Sequence, residues 1–106
     1  MDFKVSLIQS NIVIGNIKKN FKNMKKSLHK VVEYNSDIVV LPETWLTGFS
    51  NTIFDNIDEY SLKENNEMFQ YLIDFAVDND LFIVSGSFLE KNRDNNIYNN
   101  LYLIDN

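Results

Sequence analysis

Residues 39–48 read VVLPETWLTG, and in this stretch the chain's single proline separates an apolar run from a glutamate. The run from Ile38 to Leu41 is typical of a strand that is buried on both faces. Pro42 has no amide hydrogen for a strand ladder, so it ends the strand and fixes the direction in which the chain leaves. Glu43 is then either a solvated acid after a strand end or a carboxylate that is held in a site.

Strands and helices alternate on either side of this stretch. The predicted strands cover residues 5–8, 38–41, 81–89 and 97–104, and the predicted helices run from Asn16, a candidate N-cap, to Tyr34 and from Glu64 to Asp78. Both helices carry apolar residues at steps of three and four, which is the spacing of one helix face. Residues 44–63 are expected to form a long irregular connection, and such connections are usually functional or mobile.

The order of these elements, β-α-β-α-β-β, predicts an α/β fold with a mostly parallel sheet. Strands separated by helices pair in parallel through right-handed crossovers, whereas the short polar turn over residues 90–96 makes the last pair antiparallel. A chain of 106 residues, 44% of them hydrophobic, has room for one core. Residues 1–106 are therefore expected to form a single domain.

One face of the predicted sheet lacks a cover. Strands 38–41, 81–89 and 97–104 are apolar on both faces, but two helices can cover only about one face of such a sheet. An uncovered face would exceed the apolar patch of roughly a few hundred Å² that soluble monomers usually show. The sequence therefore indicates either a larger fold or an obligate partner.

Composition excludes several classes of function. The net charge is −5, from 15 acidic and 10 basic residues, which disfavours nucleic acid and anionic membranes as partners. With no cysteine and one histidine, the chain offers no disulfide and no thiol nucleophile, and we expect no structural zinc site. No apolar run approaches the ~18 residues of a membrane span, and no secretory signal pattern is seen, so we expect a cytoplasmic location.

Polar residues follow the carboxyl ends of the predicted parallel strands, where ligands bind in open α/β sheets. These residues are Gln9-Ser10-Asn11, Glu43 and Ser85-Gly86-Ser87. Glu43 is the strongest candidate, because Trp45 and Phe49 would surround its carboxylate with apolar groups, and burial suits a carboxylate to act as a general base.

The other polar residues have simpler explanations. Ser85 and Ser87 are expected to cap or turn the chain, because no histidine lies in a motif that would activate a serine. His29 is expected to be a solvated residue of the lysine-rich first helix. The acids Asp55, Asp58 and Glu59 lack the spacing of a calcium loop.

Four blocks of the sequence, in order, resemble the nitrilase or carbon–nitrogen hydrolase superfamily, with the nearest similarity to its ω-amidase-like branch. The blocks are KVSLIQSNIVIGNIKKNF (4–21), SDIVVLPETWLTGF (36–49), VSGSFLE (84–90) and IYNNLYLIDN (97–106). A lone L-P-E would be a weak signal, but the ordered series extends along nearly the whole chain.

The resemblance implies an α-β-β-α sandwich in which two sheets pack face to face, and this arrangement would cover the open face. It also implies hydrolysis of small amides or nitriles without a metal or organic cofactor. A cysteine attacks the substrate carbon to form a thioester, which water then cleaves. A glutamate is the general base, a lysine stabilises the charged intermediate, and a second glutamate assists. Members of the family commonly form dimers or larger assemblies.

Matched residue by residue, the family's general base corresponds to Glu43. Trp45, Thr47, Gly48 and Phe49 match the stretch that follows it and are expected to help shape the substrate pocket. The lysine and cysteine of the family lie beyond the strand that matches residues 97–104. The resemblance thus implies a truncated hydrolase domain with a small-molecule amide substrate, and we expect the chain alone to lack amidase activity.

Two alternatives remain open from the sequence. The chain could be a non-catalytic partner that assembles through its open sheet face, either with itself or with a polypeptide that carries the lysine and cysteine. It could also be a flavodoxin-like binding or signalling module. That alternative is weaker, because Pro42-Glu43 occupies the place of the phospho-acceptor aspartate in such modules.

Overall fold

The computed structural model describes residues 2–106. The chain forms β1 (Val5–Leu7), α1 (Ile17–Glu33), β2 (Ile38–Val40), α2 (Asn51–Asp55), β3 (Leu62–Lys63), α3 (Glu67–Asp78), β4 (Phe82–Lys91) and β5 (Ile97–Ile104). The predicted alternation of strands and helices is therefore confirmed. The short elements α2 and β3 lie in the connection over residues 44–63 that is expected to be irregular.

The strands form one five-stranded sheet. β1 pairs with β2, and β4 pairs with both β2 and β3, all in parallel, whereas β4 and β5 are antiparallel. β5 runs along one edge of β4, so β2 and β3 share the other edge at opposite ends. This arrangement confirms the predicted α/β fold with a mostly parallel sheet and an antiparallel last pair.

Polar side chains fix the position of helix α1. The Asn16 side chain accepts a hydrogen bond from the Lys19 N–H at 3.1 Å, which caps the helix as predicted. Asn20 is buried, and its amide nitrogen donates to the carbonyl oxygens of Val13 and Leu46, both at 2.8 Å. A buried amide is stable only when it is hydrogen-bonded, so Asn20 joins the helix to two separate loops.

Helix α3 begins three residues later than the sequence predicts. Asn65 has a φ of 57°, a left-handed conformation that cannot be part of a right-handed helix. The next residue, Asn66, caps the helix by accepting a hydrogen bond from the Phe69 N–H at 2.9 Å. The predicted start at Glu64 is therefore wrong, because the pattern of apolar residues does not reveal a left-handed residue.

Strand β4 begins and ends later than predicted. The ladder pairs Glu90 with Tyr98 and Lys91 with Ile97, and β3 pairs with the same two residues from the other side. The polar turn consequently begins at Asn92 rather than at Glu90. Glu90 and Lys91 are charged, so the apolar run ends before the strand does. The apolar pattern therefore does not show where β4 ends.

The hydrophobic core lies between the sheet and the two long helices. Phe21 of α1 contacts Tyr71 of α3 edge-to-face, with ring centroids 5.5 Å apart, so the helices lie side by side on one face. The most deeply buried apolar side chains of this layer are Met24, Leu28, Val39, Leu72, Ala76, Ile83 and Phe88. Two right-handed crossovers that proceed in the same direction place both helices on the same face.

The opposite face of the sheet is open, as the sequence predicts. The parallel and antiparallel ladders place Leu7, Val40, Val84 and Leu103 in one row across four strands. Leu7 is 74% exposed, Leu103 is 69% exposed and Leu101, on the same face, is 60% exposed. We refer to this apolar surface, which also includes Val5, as the open face.

Gly86 allows two strands to approach each other closely. It lies in a bulge of β4 between Val84 and Ser87, with a φ of +65°. A Cβ atom at this position would lie 2.1 Å from the carbonyl oxygen of Pro42 and 2.9 Å from that of Leu41. Only glycine fits against backbone atoms at such a distance.

We expect Gly86→Ala to destabilise the chain by about 2–4 kcal/mol, because left-handed strain adds to the overpacking. Gly15→Ala is a matched control, since Gly15 has a φ of +75° but faces the movable side chain of Tyr60, with 3.2 Å to its hydroxyl. Its expected loss is about 1 kcal/mol. Urea unfolding of both variants measures the difference, and equal losses would contradict the role of the backbone contact.

Candidate functional site

The chain segment that follows β2 is held against the bulge of β4 by hydrogen bonds. Three of them are the Leu41 N–H to the Val84 carbonyl oxygen at 3.0 Å, the Thr44 N–H to Ser87 Oγ at 2.9 Å, and the Trp45 indole N–H to the Ser85 carbonyl oxygen at 2.9 Å. Two of the three predicted candidate groups, Glu43 and Ser85-Gly86-Ser87, are thus brought together at the carboxyl end of β2.

Thr44, directly after Glu43, has a strained backbone. Five residues other than glycine in the described part of the chain have a positive φ, and four of them are asparagine or aspartate, which tolerate it. The fifth is Thr44, with a φ of 46°, and a β-branched residue is a true outlier there. Strain of this kind persists only where the surroundings impose it, and it is found most often at functional sites.

Two contacts hold Thr44 in this conformation. Its N–H donates to Ser87 Oγ, and its carbonyl oxygen accepts from the Gly48 N–H at 2.8 Å. The backbone on both sides of Glu43 is therefore fixed, by Gly86 against Pro42 on one side and by Ser87 on Thr44 on the other. Such a rigid frame suits a side chain that must be presented in one direction.

The Glu43 side chain is exposed, so the predicted apolar burial of its carboxylate is wrong for this chain. Trp45 was expected to cover the carboxylate, but its indole N–H reaches the Ser85 carbonyl oxygen and draws the ring into the core. Thr47 is also buried and donates its hydroxyl to the Gly48 carbonyl oxygen at 3.0 Å. The buried side chains of Trp45 and Thr47 therefore anchor the turn at Glu43 to the interior of the chain.

Phe49 is the predicted pocket residue that lies at the surface. It is 68% exposed, and its ring meets that of Phe54 edge-to-face with centroids 5.0 Å apart. Both rings border a cavity of about 50 Å³, whose other lining residues are Thr44, Gly48, Ile53, Leu89 and Asn99. An apolar wall thus adjoins the strained turn.

Ile53 and Phe54 are not predicted from the sequence, because they belong to α2, within the connection that is expected to be irregular. The available signal was Ser50, a residue type favoured at helix starts, followed by two apolar residues in succession. The Ser50 hydroxyl makes no capping hydrogen bond and is buried without a partner in the part of the chain that the structure describes. Ser50 therefore does not stabilise the start of α2 as a capping residue would, and the sequence signal for this helix was weak.

The turn at Glu43 lies against the open face. Ser87 pairs with Leu101 in the antiparallel ladder, and paired residues place their side chains on the same face of a sheet. Since Ser87 Oγ binds the Thr44 N–H, the turn covers the same face that exposes Leu101 and Leu103. Glu43 is consequently at the rim of the open face.

The third predicted group follows β1. The Ile8 N–H donates to the Val40 carbonyl oxygen at 3.0 Å, which extends the pairing of β1 with β2 to the predicted strand end. Within residues 2–106, Ser10 Oγ is buried without a hydrogen-bond partner, whereas Gln9 and Asn11 are exposed. This group therefore ends the neighbouring strand and offers one unpaired hydroxyl.

The remaining candidates have local roles. His29 is exposed, as predicted, with its ring edge-on to Phe75 at 5.6 Å. Asp58 forms an ion pair with Lys91 at 2.8 Å. In residues 2–106, no group of three or more His, Asp or Glu side chains is arranged to hold a metal ion. In the same residues, no helix is both long enough and apolar enough to cross a bilayer.

Comparison of the sequence with known proteins identifies a family, and comparison of the structure finds the fold of that family. The carbon–nitrogen hydrolase family model matches residues 4–106. The 2-oxoglutaramate amidase of Bacillus subtilis (strain 168) is 30% identical over 106 residues, which cover 99% of this chain and 39% of that protein. A nitrilase of Pyrococcus abyssi is 30% identical over 92 residues, covering 86% of this chain and 35% of that protein.

A solved structure with the same fold is a carbon–nitrogen hydrolase superfamily protein of Xanthomonas campestris that carries an arsenic adduct in its active site. Its TM-score is 0.82 at 23% identity, over 99% of this chain and 37% of that one. The chain thus spans less than two-fifths of the length of each of these proteins. Because the family model covers nearly every residue, the chain belongs to the carbon–nitrogen hydrolase family.

Proposed function

We propose that this chain supplies the general base, Glu43, of a carbon–nitrogen hydrolase that acts on small amides. The observation that carries the proposal is the rigid turn at Glu43, with its left-handed Thr44, at the rim of the open face. The family match supports it, because the family's glutamate corresponds to Glu43. The turn serves the fold, since it places Trp45 in the core, but the exposed Glu43 carboxylate itself forms no ion pair within residues 2–106.

The proposed chemistry requires groups that these 106 residues do not contain. The sequence has no cysteine, so the nucleophile must come from the polypeptide that covers the open face. In the proposed reaction the Glu43 carboxylate takes the thiol proton while the sulfur forms a bond to the amide carbon. Glu43 then gives the proton to the departing nitrogen as the carbon–nitrogen bond breaks, which leaves a thioester and releases ammonia. Water cleaves the thioester, with Glu43 as its base.

The exposure of Glu43 agrees with this proposal. A second layer packed on Leu7, Leu101 and Leu103 would exclude water from the rim and bring its own side chains to the carboxylate. A general base works best when it is held in such a dry, fixed position. We therefore propose that the open face packs on the rest of the hydrolase domain, since the chain spans 39% of the Bacillus amidase.

The substrate class is proposed from the relatives. The Bacillus relative is a 2-oxoglutaramate amidase, which makes short ω-amides such as glutaramate the first substrates to test. The walls of Phe49 and Phe54 beside the turn would contact the aliphatic part of such a substrate.

We expect the purified 106-residue chain to show no hydrolysis of glutaramate, because it lacks a nucleophile. Activity is expected when the chain replaces the aligned part of the Bacillus amidase in a chimera. In the chimera, Glu43→Gln should lower kcat/KM by about 10²–10⁴-fold, the usual contribution of a general base. Ammonia release measures both.

Glu59→Gln is the matched control in that chimera, because Glu59 is an exposed acid in the same connection. It should leave the rate unchanged. Hydrolysis by the isolated chain, or full activity of the Glu43→Gln chimera, would overturn the assignment of the general base.

The second candidate function is that of a non-catalytic partner, and the open face favours it. The face could pack on a second copy of the chain instead of the rest of a hydrolase domain. Here too the apolar side chains that are exposed on β1 and β5 would be the contact surface. The family assignment gives the flavodoxin-like module no comparable support.

We expect the isolated chain to associate in a concentration-dependent manner in sedimentation velocity, because its open face is apolar. Leu103→Glu should shift the population towards the monomer. Val77→Glu is the control, since Val77 is also exposed but lies on helix α3. A wild-type chain that stays monomeric at all concentrations would count against an interface on this face.

A further inference from the structure

A second carboxylate, that of Glu90, is buried on the helix-covered face of β4, opposite the open face where Glu43 lies. Glu90 is only 5% exposed, and its Oε1 accepts hydrogen bonds from the Tyr102 hydroxyl and from the Asn100 amide nitrogen, the latter at 2.9 Å. Both bonds go to the same oxygen. Oε2 is therefore left without a donor among residues 2–106.

Glu90 also lacks a cationic partner among the residues that the structure describes. The ion pair found in the described part of the chain joins Lys91 to Asp58, and Lys91 is adjacent to Glu90 in the strand, so its side chain points to the other face. Oε2 is not enclosed, because the enclosed side-chain oxygens without a hydrogen-bond partner in residues 2–106 are those of Ser10 and Ser50. The free side of the carboxylate is therefore open to solvent, and no cation of the described residues is paired with it.

A cleft of about 290 Å³ opens beside this carboxylate. Its acidic residues are Glu90 and Glu64, and its aromatic walls are Phe69, Tyr98 and Tyr102. Two acids and three aromatic rings around one cavity favour a cation, since the acids supply charge and the ring faces attract positive groups. Anions are disfavoured by the same acids.

We propose that this cleft binds a protonated amine or a guanidinium group, with Glu90 as its ion-pair partner. The cation would occupy the free side of the carboxylate at Oε2, and Glu64 would add a second, solvated charge at the entrance. The rings of Phe69 and Tyr98 would contact the methylene groups of the ligand. This site does not depend on the proposed catalytic role, because Glu43 lies at the open face and Glu90 lies on the helix-covered face.

The basic residues nearby do not fill the cleft. Lys63, Lys91 and Arg93 line a neighbouring cavity of about 330 Å³ that shares Glu64 with the first. Within residues 2–106, none of the three forms an ion pair with Glu64 or Glu90, and Lys91 is held by Asp58. Among residues 2–106, therefore, no basic side chain occupies the free side of Glu90.

The pKa of the Tyr102 phenol reflects the negative charge of the cleft. Its hydrogen bond to Glu90 raises the pKa of Tyr102 above the ordinary value of 10.0, with smaller contributions from burial and from the charges of Glu90 and Glu64, opposed by Asn100. A raised pKa in the folded state means that this stabilisation is present below the ordinary tyrosine pKa and is lost as the pH rises through the folded value.

We expect Glu90→Gln to lower the Tyr102 pKa towards its ordinary value. Glutamine keeps an oxygen that accepts both hydrogen bonds, so the fold should be retained while the charge is removed. Tyrosinate absorbance during an alkaline titration measures the change, and Tyr102→Phe identifies which transition belongs to this residue. An unchanged titration in Glu90→Gln would contradict the role of the Glu90 charge.

The binding experiment titrates the isotopically labelled chain with n-butylammonium chloride and with ethylguanidinium chloride while amide resonances are recorded. Sodium chloride at equal ionic strength serves as the reference. We expect saturable shifts at residues around the cleft, at least tenfold weaker binding in Glu90→Gln, and several-fold weaker binding in Glu64→Gln. Glu64 is exposed, so its variant tests the site without a risk to folding.

The cation could belong to a free small molecule or to a lysine or arginine side chain of a polypeptide, and a second arm distinguishes these sources. N-acetyl-lysine methylamide and N-acetyl-arginine methylamide carry the same head groups next to a peptide backbone. Tighter binding of these amides than of the simple cations would indicate a polypeptide side chain. Equal or weaker binding would indicate a small-molecule ligand.

Glu33→Gln is the matched control, because Glu33 is an exposed acid at the far end of helix α1. It should bind both cations as the wild type does. The proposal is overturned if no cation gives saturable shifts beyond those of sodium chloride. It is also overturned if Glu90→Gln binds as tightly as the wild type.

Discussion

The close contact between the Pro42 carbonyl and Gly86 is the constraint on which the rest of the structure depends. It brings the end of β2 within 2.1 Å of the place where a Cβ atom would be, so that only glycine can occupy the bulge. At this separation Ser87 reaches the Thr44 N–H, and the Trp45 indole reaches the Ser85 carbonyl oxygen. One backbone contact thus fixes the catalytic candidate Glu43, the strained residue after it and the aromatic anchor of the core.

β4 carries side chains of both proposed sites, one on each face of the sheet. Ser87 faces the open side and holds the turn at Glu43, whereas Glu90, three residues further along, faces the helices and the acidic cleft. An odd separation along a strand places two side chains on opposite faces. The same strand therefore supports the proposed catalytic edge and a separate cation site without contact between them.

The sequence predicts regular structure where apolar spacing and capping residues agree, and less elsewhere. Asn16 and the stripe after it located α1, and the apolar residues of the segment 97–104 located β5, whereas the left-handed Asn65 displaced the start of α3. Pro42 correctly placed Glu43 at a strand end. It did not reveal the exposure of Glu43, because burial depends on whether Trp45 turns towards the carboxylate or, through one hydrogen bond, towards the core. A local sequence pattern does not show which of these two contacts, distant in sequence, the Trp45 side chain makes.

The left-handed turns of the chain also affect its unfolded state. Asn35, Asn65, Asp80 and Asn95 occupy positions that glycine commonly fills in other proteins, and the chain has only three glycines. Residues with a side chain explore fewer conformations than glycine before folding, so each of these turns loses less entropy when the structure forms. The left-handed strain of a side chain opposes this gain, and asparagine and aspartate tolerate that conformation better than other residues with a side chain. The asparagine-rich composition therefore allows the chain to make its left-handed turns with few glycines.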